Sequence, residues 1–164
     1  AAELPTPENM GSVLRHVLGG WQLNGIIQKQ TGFPVSLTNS QLSIRRLTNR
    51  PDATCDPNEN APHTPEQWFN TSCFVGRPLA ETAEPGNAGR NTIRGPGFAS
   101  TDLSLFKNIA LQGTHRIQLR LEAFNAFNQV RFNNPSGAFN TGNFGRITSA
   151  QDGRVIQLGV KYLF

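Results

Sequence analysis

The chain has no apolar run approaching the roughly 20 residues that a membrane helix needs. That absence excludes helical spans only, because a strand that alternates apolar and polar residues crosses a bilayer with a soluble-looking average. There is no run of basic residues either. The 15 lysines and arginines are scattered and leave a net charge of +4, so nucleic acid is not an expected partner. Only two cysteines are present, Cys55 and Cys73. They form no tight pairs of the kind that hold metal, so a disulfide is the better reading, and it implies an oxidising compartment. No G-x-S-x-G, Walker loop or H-E-x-x-H occurs, and His16, His63 and His115 lie far apart. The expectation is a protein that is not an enzyme and carries no metal or cofactor. His63 and Glu66 share one segment but make only a weak metal signal. The sequence opens Ala-Ala-Glu, without an initiator Met or a signal peptide. The expectation is a chain whose leader was removed, or a piece of something longer.

What the chain does have is alternation. In the terminal run "GRVIQLGVKYLF", Ile156, Leu158, Val160, Tyr162 and Phe164 share one face, against Gln157, Gly159 and Lys161. Residues 116–128 repeat the pattern, with Ile117, Leu119, Leu121 and Ala123 opposite Gln118, Arg120 and Glu122. In residues 98–111, Leu103, Leu105, Ile109 and Leu111 oppose Asp102, Ser104 and Asn108. Residues 21–38 alternate too, with Gly32 and Pro34 marking a bulge or kink. "ENMGSVLRHVL" (8–18) has helical spacing and stops at Gly19-Gly20. The pattern predicts about four antiparallel strands and one short helix.

The connections are uneven. "QGTH" (112–115) is a tight turn, whereas 39–97 and 129–153 are long and rich in turn residues. Transmembrane barrels show this asymmetry, short turns at one rim and long loops at the other. The polar face is mostly Gln, Asn, Ser and Thr with single charges. Asp102, Ser104, Gln118, Arg120, Glu122, Gln157 and Lys161 are therefore read as lining a hydrated lumen. Trp21, Phe33, Phe124, Phe127, Tyr162 and Phe164 fall near strand ends, like an interfacial girdle. "GRNTIRGPG" could cradle an anion through Arg90 and Arg94. The plainer reading of that stretch is a loop that re-enters a barrel. A soluble secreted β-sandwich that binds a ligand, and a passive porin, stay open as alternatives.

The end of the chain resembles the assembly signal of bacterial outer-membrane barrels, a terminal Phe preceded by apolar residues at every second position. Ile156, Leu158, Val160, Tyr162 and Phe164 fit it. "LGGWQLNGIIQKQTGFPVSLT", "TPEQWFNTSCF", "GNAGRNTIRGPGFASTDLSLFKN" and "LRLEAFNAFNQVRFNNP" resemble successive C-terminal barrel pieces of TonB-dependent receptors of the Oar-like, carboxypeptidase-regulatory-like class. The resemblance implies that 154–164 and 98–111 run inward to the periplasm, and that 116–128 and 21–38 run outward. "QGTH" and the helix would then be periplasmic, and the two long segments extracellular. It implies the outer membrane of a Gram-negative bacterium. The implied partners are its lipid, the barrel-assembly machinery and, through a missing N-terminal part, TonB. The implied function is energy-coupled uptake of a scarce solute: a siderophore, an oligosaccharide or a peptide. The family also has a plug and about 22 strands, a size class whose lumen is plugged; the plug is expected to lie outside this chain.

Overall fold

The computed structural model describes residues 2–5, 11–39, 49–76 and 86–164. In chain order the elements are β1 (Ala2–Glu3), α1 (Ser12–Leu18), β2 (Trp21–Gln30), β3 (Asp52–Ala53), a 3-10 turn (Thr71–Cys73), β4 (Phe74–Val75), β5 (Phe98–Ala110), β6 (Arg116–Phe124) and β7 (Val155–Leu163). The protein is mostly β, with few helices. It divides into two compact units. One comprises Ala1–Lys29, Ala99–Val130 and Asp152–Phe164, the other Gln30–Phe98 and Arg131–Gln151.

The first unit carries a five-stranded sheet in the order β1-β2-β5-β6-β7, open at β1 and β7. β5 and β6 pair antiparallel from Leu103↔Ala123 to Ala110↔Arg116. β6 and β7 pair antiparallel from Phe124↔Val155 to Arg116↔Leu163. β1 is a strand that the sequence pattern does not reveal; it pairs antiparallel with β2 through Ala2↔Leu23 and Glu3↔Gln22. Two residues are too few to show a period. The β5–β6 turn closes through a bond from the Leu111 N–H to the His115 carbonyl at 2.9 Å, with Gly113 at φ 70°. Gly20 joins α1 to β2 at φ 73°. A Cβ there would lie 2.5 Å from the Asn108 carbonyl oxygen, so only glycine fits.

Several boundaries differ from the sequence pattern. The strand expected over 21–38 ends at Gln30. A Cβ on Gly32 would lie 1.7 Å from the Gly95 carbonyl oxygen, so the two backbones touch there. Pro34 has no N–H to continue a ladder and makes only an isolated bridge to Arg94. The strand expected over 116–128 ends at Phe124, because Asn125 turns to φ 50° and its N–H is taken by Asp102 Oδ1 at 2.8 Å. The helix expected over 8–18 begins at Ser12; residues 8–10 lie outside the described residues.

The second unit has little regular structure and a real core. Val35, Leu37, Phe69, Cys73, Phe74, Ala88, Ile93 and Phe139 are buried together, with Ala53, Trp68 and Phe144 packed against them. Phe144 meets Phe69, Phe74 and Phe139 edge to face at centroid distances of 5.2, 5.6 and 5.3 Å. β3 and β4 pair antiparallel through Asp52↔Val75 and Ala53↔Phe74. Next to that pair Cys55 and Cys73 are joined by a disulfide with Cα atoms 5.0 Å apart, within the ordinary span of such bonds. With a sequence separation of 18, closure removes about 3 kcal/mol of chain entropy from the unfolded unit. Changing both cysteines to alanine is therefore expected to speed amide exchange across residues 49–76. Protection equal to that of the unaltered protein would show that packing alone holds this unit.

Candidate functional site

The sheet has two chemically distinct faces, and strand pairing brings the residues of each face into register. On one face Ile117, Leu119, Leu121 and Ala123 of β6 stand opposite Tyr162, Val160, Leu158 and Ile156 of β7. Leu103, Leu105 and Ile109 of β5 continue it on the other side, opposite Ala123, Leu121 and Ile117. In β2, Gly25 belongs to the same face, since a Cβ there would meet Leu103 Cδ2 at 3.4 Å; Trp21, Leu23 and Ile27 share its parity. This face is open: Leu158 is 79% exposed and Ile27 81%.

The other face is polar and internally bonded. The Gln118 amide donates to Asn108 Oδ1 at 2.9 Å. Arg120 Nε donates to Gln118 Oε1 at 2.7 Å, and its guanidinium sits 4.9 Å from the centre of the Phe106 ring. Glu122 stands between Ser104 and Gln157, and Lys161 stands opposite Gln118. Six of the seven residues read as a polar lining thus form one array. Asp102 shares its parity, but its carboxylate caps the turn at Asn125. Asn125 is itself buried, trading bonds of 2.9 Å with the Gln129 carbonyl and N–H.

One residue breaks the two-face rule. Lys107 has the parity of Leu105 and Ile109 and stands opposite Leu119, yet it is only 7% exposed. Its ammonium donates to the carbonyls of His16 at 2.6 Å and Val17 at 3.0 Å, and also to that of Gly19. It lies 5.1 Å over the Trp21 ring, whose Nε1 donates to the Val17 carbonyl at 2.9 Å. These are the carbonyls that a helix leaves without partners at its C-terminus. The signal was present in the sequence: a lysine standing in the apolar phase of an alternating strand.

At the end of the sheet where β7 finishes, the Tyr162 hydroxyl and His115 Nδ1 lie 2.7 Å apart, with their rings stacked at 5.8 Å. Phe164 stacks beyond Tyr162 at 6.1 Å. The aromatic terminus thus folds against the tight turn.

In the second unit, Arg90 and Arg94 do not come together in the anion cradle that is the less favoured reading of their stretch. Arg94 braces the backbone, with Nη1 donating to the Gly32 carbonyl at 3.3 Å and its own carbonyl accepting from Trp68 Nε1 at 2.7 Å. Arg90 instead lines a cleft of about 370 Å³ with Ser36, Thr38, Arg50 and Asn91. Arg50, which sequence reasoning missed, is anchored there by a 2.6 Å bond to the Ala88 carbonyl. His63 packs edge to face on Trp68 at 5.1 Å. Asn70 caps the 3-10 turn, accepting from the Ser72 hydroxyl at 2.6 Å. Among the described residues no helix is long and apolar enough to cross a membrane, which says nothing of strands.

The family model of an outer membrane beta barrel domain matches residues 1–157. Neither a curated protein nor a solved structure matches the chain. The chain belongs to the outer membrane β-barrel domain family.

Proposed function

We propose that this outer-membrane β-barrel chain forms part of a TonB-dependent transporter that takes up a scarce solute, a siderophore, an oligosaccharide or a peptide, in a Gram-negative bacterium. The observation that carries the reading is the separation of faces and connections on one sheet. Leu119, Leu121, Leu158 and Val160 would meet lipid, while Gln118, Arg120, Glu122, Gln157 and Lys161 would line the lumen. Tight structure closes one end of the strands. The long connections from β2 to β5 and from β6 to β7 leave from the other and build a packed, disulfide-closed unit. Five open strands do not enclose a lumen, so further strands complete the wall. TonB would act through a plug that this sheet does not supply, and no chemistry on the solute is required of these residues.

The motif resemblance supports an energised receptor over a passive porin, and cells can tell the two apart. Labelled ferric siderophores, oligosaccharides and peptides are supplied to cells with and without the receptor. Uptake that depends on the receptor is expected to stop when the proton-motive force is collapsed. Uptake that survives the collapse would make the protein a passive pore.

The terminal strand carries a second expectation. The assembly machinery would read the face of Ile156, Leu158, Val160, Tyr162 and Phe164 before the barrel closes. Deleting Phe164, or changing it to Asp, in the complete protein is expected to cut heat-modifiable barrel in outer-membrane fractions severely. Leu163→Gln, on the opposite parity, is expected to leave it nearly unchanged. Equal, near-normal assembly in all three removes the terminal residue from the signal.

A further inference from the structure

The buried lysine of β5 raises a question that the wall alone does not answer. A cation on the lipid side of a barrel strand is unfavourable, and least so near the interface. Lys107 has the parity of that side, and the backbone carbonyls of His16, Val17 and Gly19 surround its ammonium. The C-terminus of α1 is therefore held over the apolar face of the sheet, not over the polar array of Gln118 and Arg120. Trp21 fixes it a second time through the Val17 carbonyl.

That placement leaves α1 with an unusual surface. Val13, Leu14, Val17 and Leu18 fall within one arc of the helix, with Arg15 and His16 on the remainder. All four apolar residues are exposed, Val13 at 76%. A helix packed to cover a sheet would turn this stripe inward. Here the helix is tethered by its backbone, and its apolar stripe is left facing out. Lys107 pins the end of this helix to the apolar face, where Leu119 stands opposite Lys107 and Val160 opposite Leu119, and both of those residues are exposed. The stripe lies at the end of the sheet where Trp21, Tyr162 and Phe164 gather, the side chains that favour the headgroup level of a bilayer.

We propose that α1 is an interfacial helix. Its Val13, Leu14, Val17 and Leu18 stripe is immersed in the phospholipid leaflet at the tight-turn end of the barrel, and Lys107 is the peg that holds it there. The occupant of the stripe is lipid because the surface the helix is pinned to is the lipid-facing wall. The inference rests on the reading of that wall as membrane-spanning. Helices of this kind lie with their apolar side about 5–10 Å inside the headgroup boundary. Arg15 and His16 then fall on the headgroup side, where anionic phospholipid suits the arginine. Lys107 serves neither transport nor the lumen. It satisfies the end of the helix and is itself removed from lipid by the helix.

The test uses the complete protein in phospholipid vesicles with the Cys55–Cys73 bond intact. Single cysteines carrying nitroxide labels replace Val17, His16 and Leu158, and depth is read from the contrast between oxygen and a water-soluble nickel relaxant. The Leu158→Cys label reports the wall itself and is expected deep in the acyl region; a water-exposed label there overturns the membrane-spanning reading instead. With Leu158 in lipid, the Val17→Cys label is expected at shallow acyl depth and the His16→Cys label at headgroup level or in water. Lys107→Met, added to Val17→Cys, is expected to free the helix and raise label mobility severalfold while the Leu158 site keeps its depth. A Val17 label as exposed to nickel as the His16 label overturns the proposal. So does one shielded from both relaxants, which would mean that protein covers the stripe. Unchanged mobility after Lys107→Met removes the peg.

Discussion

Replacing Leu158 with arginine is expected to destabilise the complete barrel in phospholipid vesicles by about 2–4 kcal/mol, the range for a cation near the bilayer midplane. Leu158 lies in the middle of β7 opposite Leu121 and is 79% exposed. In water an exposed leucine exchanged for arginine would change little. The cost therefore reports the solvent that this face meets. The control lies one residue away. Gln157 stands opposite Glu122 on the polar array, so Gln157→Arg places a cation beside a carboxylate in a wet setting and is expected to be nearly neutral. Leu121→Arg repeats the test on the neighbouring strand and is expected to match Leu158→Arg in sign. Reversible urea unfolding in vesicles measures all three. Equal costs for the Leu158 and Gln157 changes would mean that both faces meet the same medium.

The second large effect falls in the other unit. Phe69 is 1% exposed and contacts Phe74 and Phe144 edge to face at 5.9 and 5.2 Å. Gly145, at φ 78°, places its backbone against the same ring. Truncation to alanine leaves a cavity that irregular backbone, tied by the Cys55–Cys73 bond, closes only in part. The expected cost to this unit is about 3–5 kcal/mol. Limited proteolysis of the purified complete protein should then cut within 49–76 and 86–98 faster than in the unaltered protein. The heat-modifiable barrel band should persist, because its stability comes from strand pairing and lipid. Loss of both together would make the two units one cooperative structure.

The sheet was legible from residue order because its causes are local and periodic. Parity alone put Leu119 and Leu158 on one face and Gln118 and Lys161 on the other. Gly113 and Gly20 marked turns that their positive φ angles require. The family resemblance stood on the terminal alternation and on the quoted stretches upstream of it, and the family match agrees with it at the level of an outer membrane β-barrel.

Only the tertiary structure decided the rest. Residues 39–97 and 129–153 show no sustained period because the core they share with Val35 is assembled from single residues far apart in sequence. Val35, Phe69, Ile93 and Phe139 belong to four different irregular segments, and no period links them. Gly32 and Pro34 marked an interruption, but that the strand from Trp21 stops at Gln30 was decided by the backbone contact between Gly32 and Gly95, whose partner the sequence does not name. Lys107 is the sharpest case. Its phase in the strand told which face it left from, but its partners are three backbone carbonyls some ninety positions earlier in the chain. Side-chain order carries the periodic part of this fold. Backbone groups are the same in every residue, so where they meet is settled only when the chain has folded.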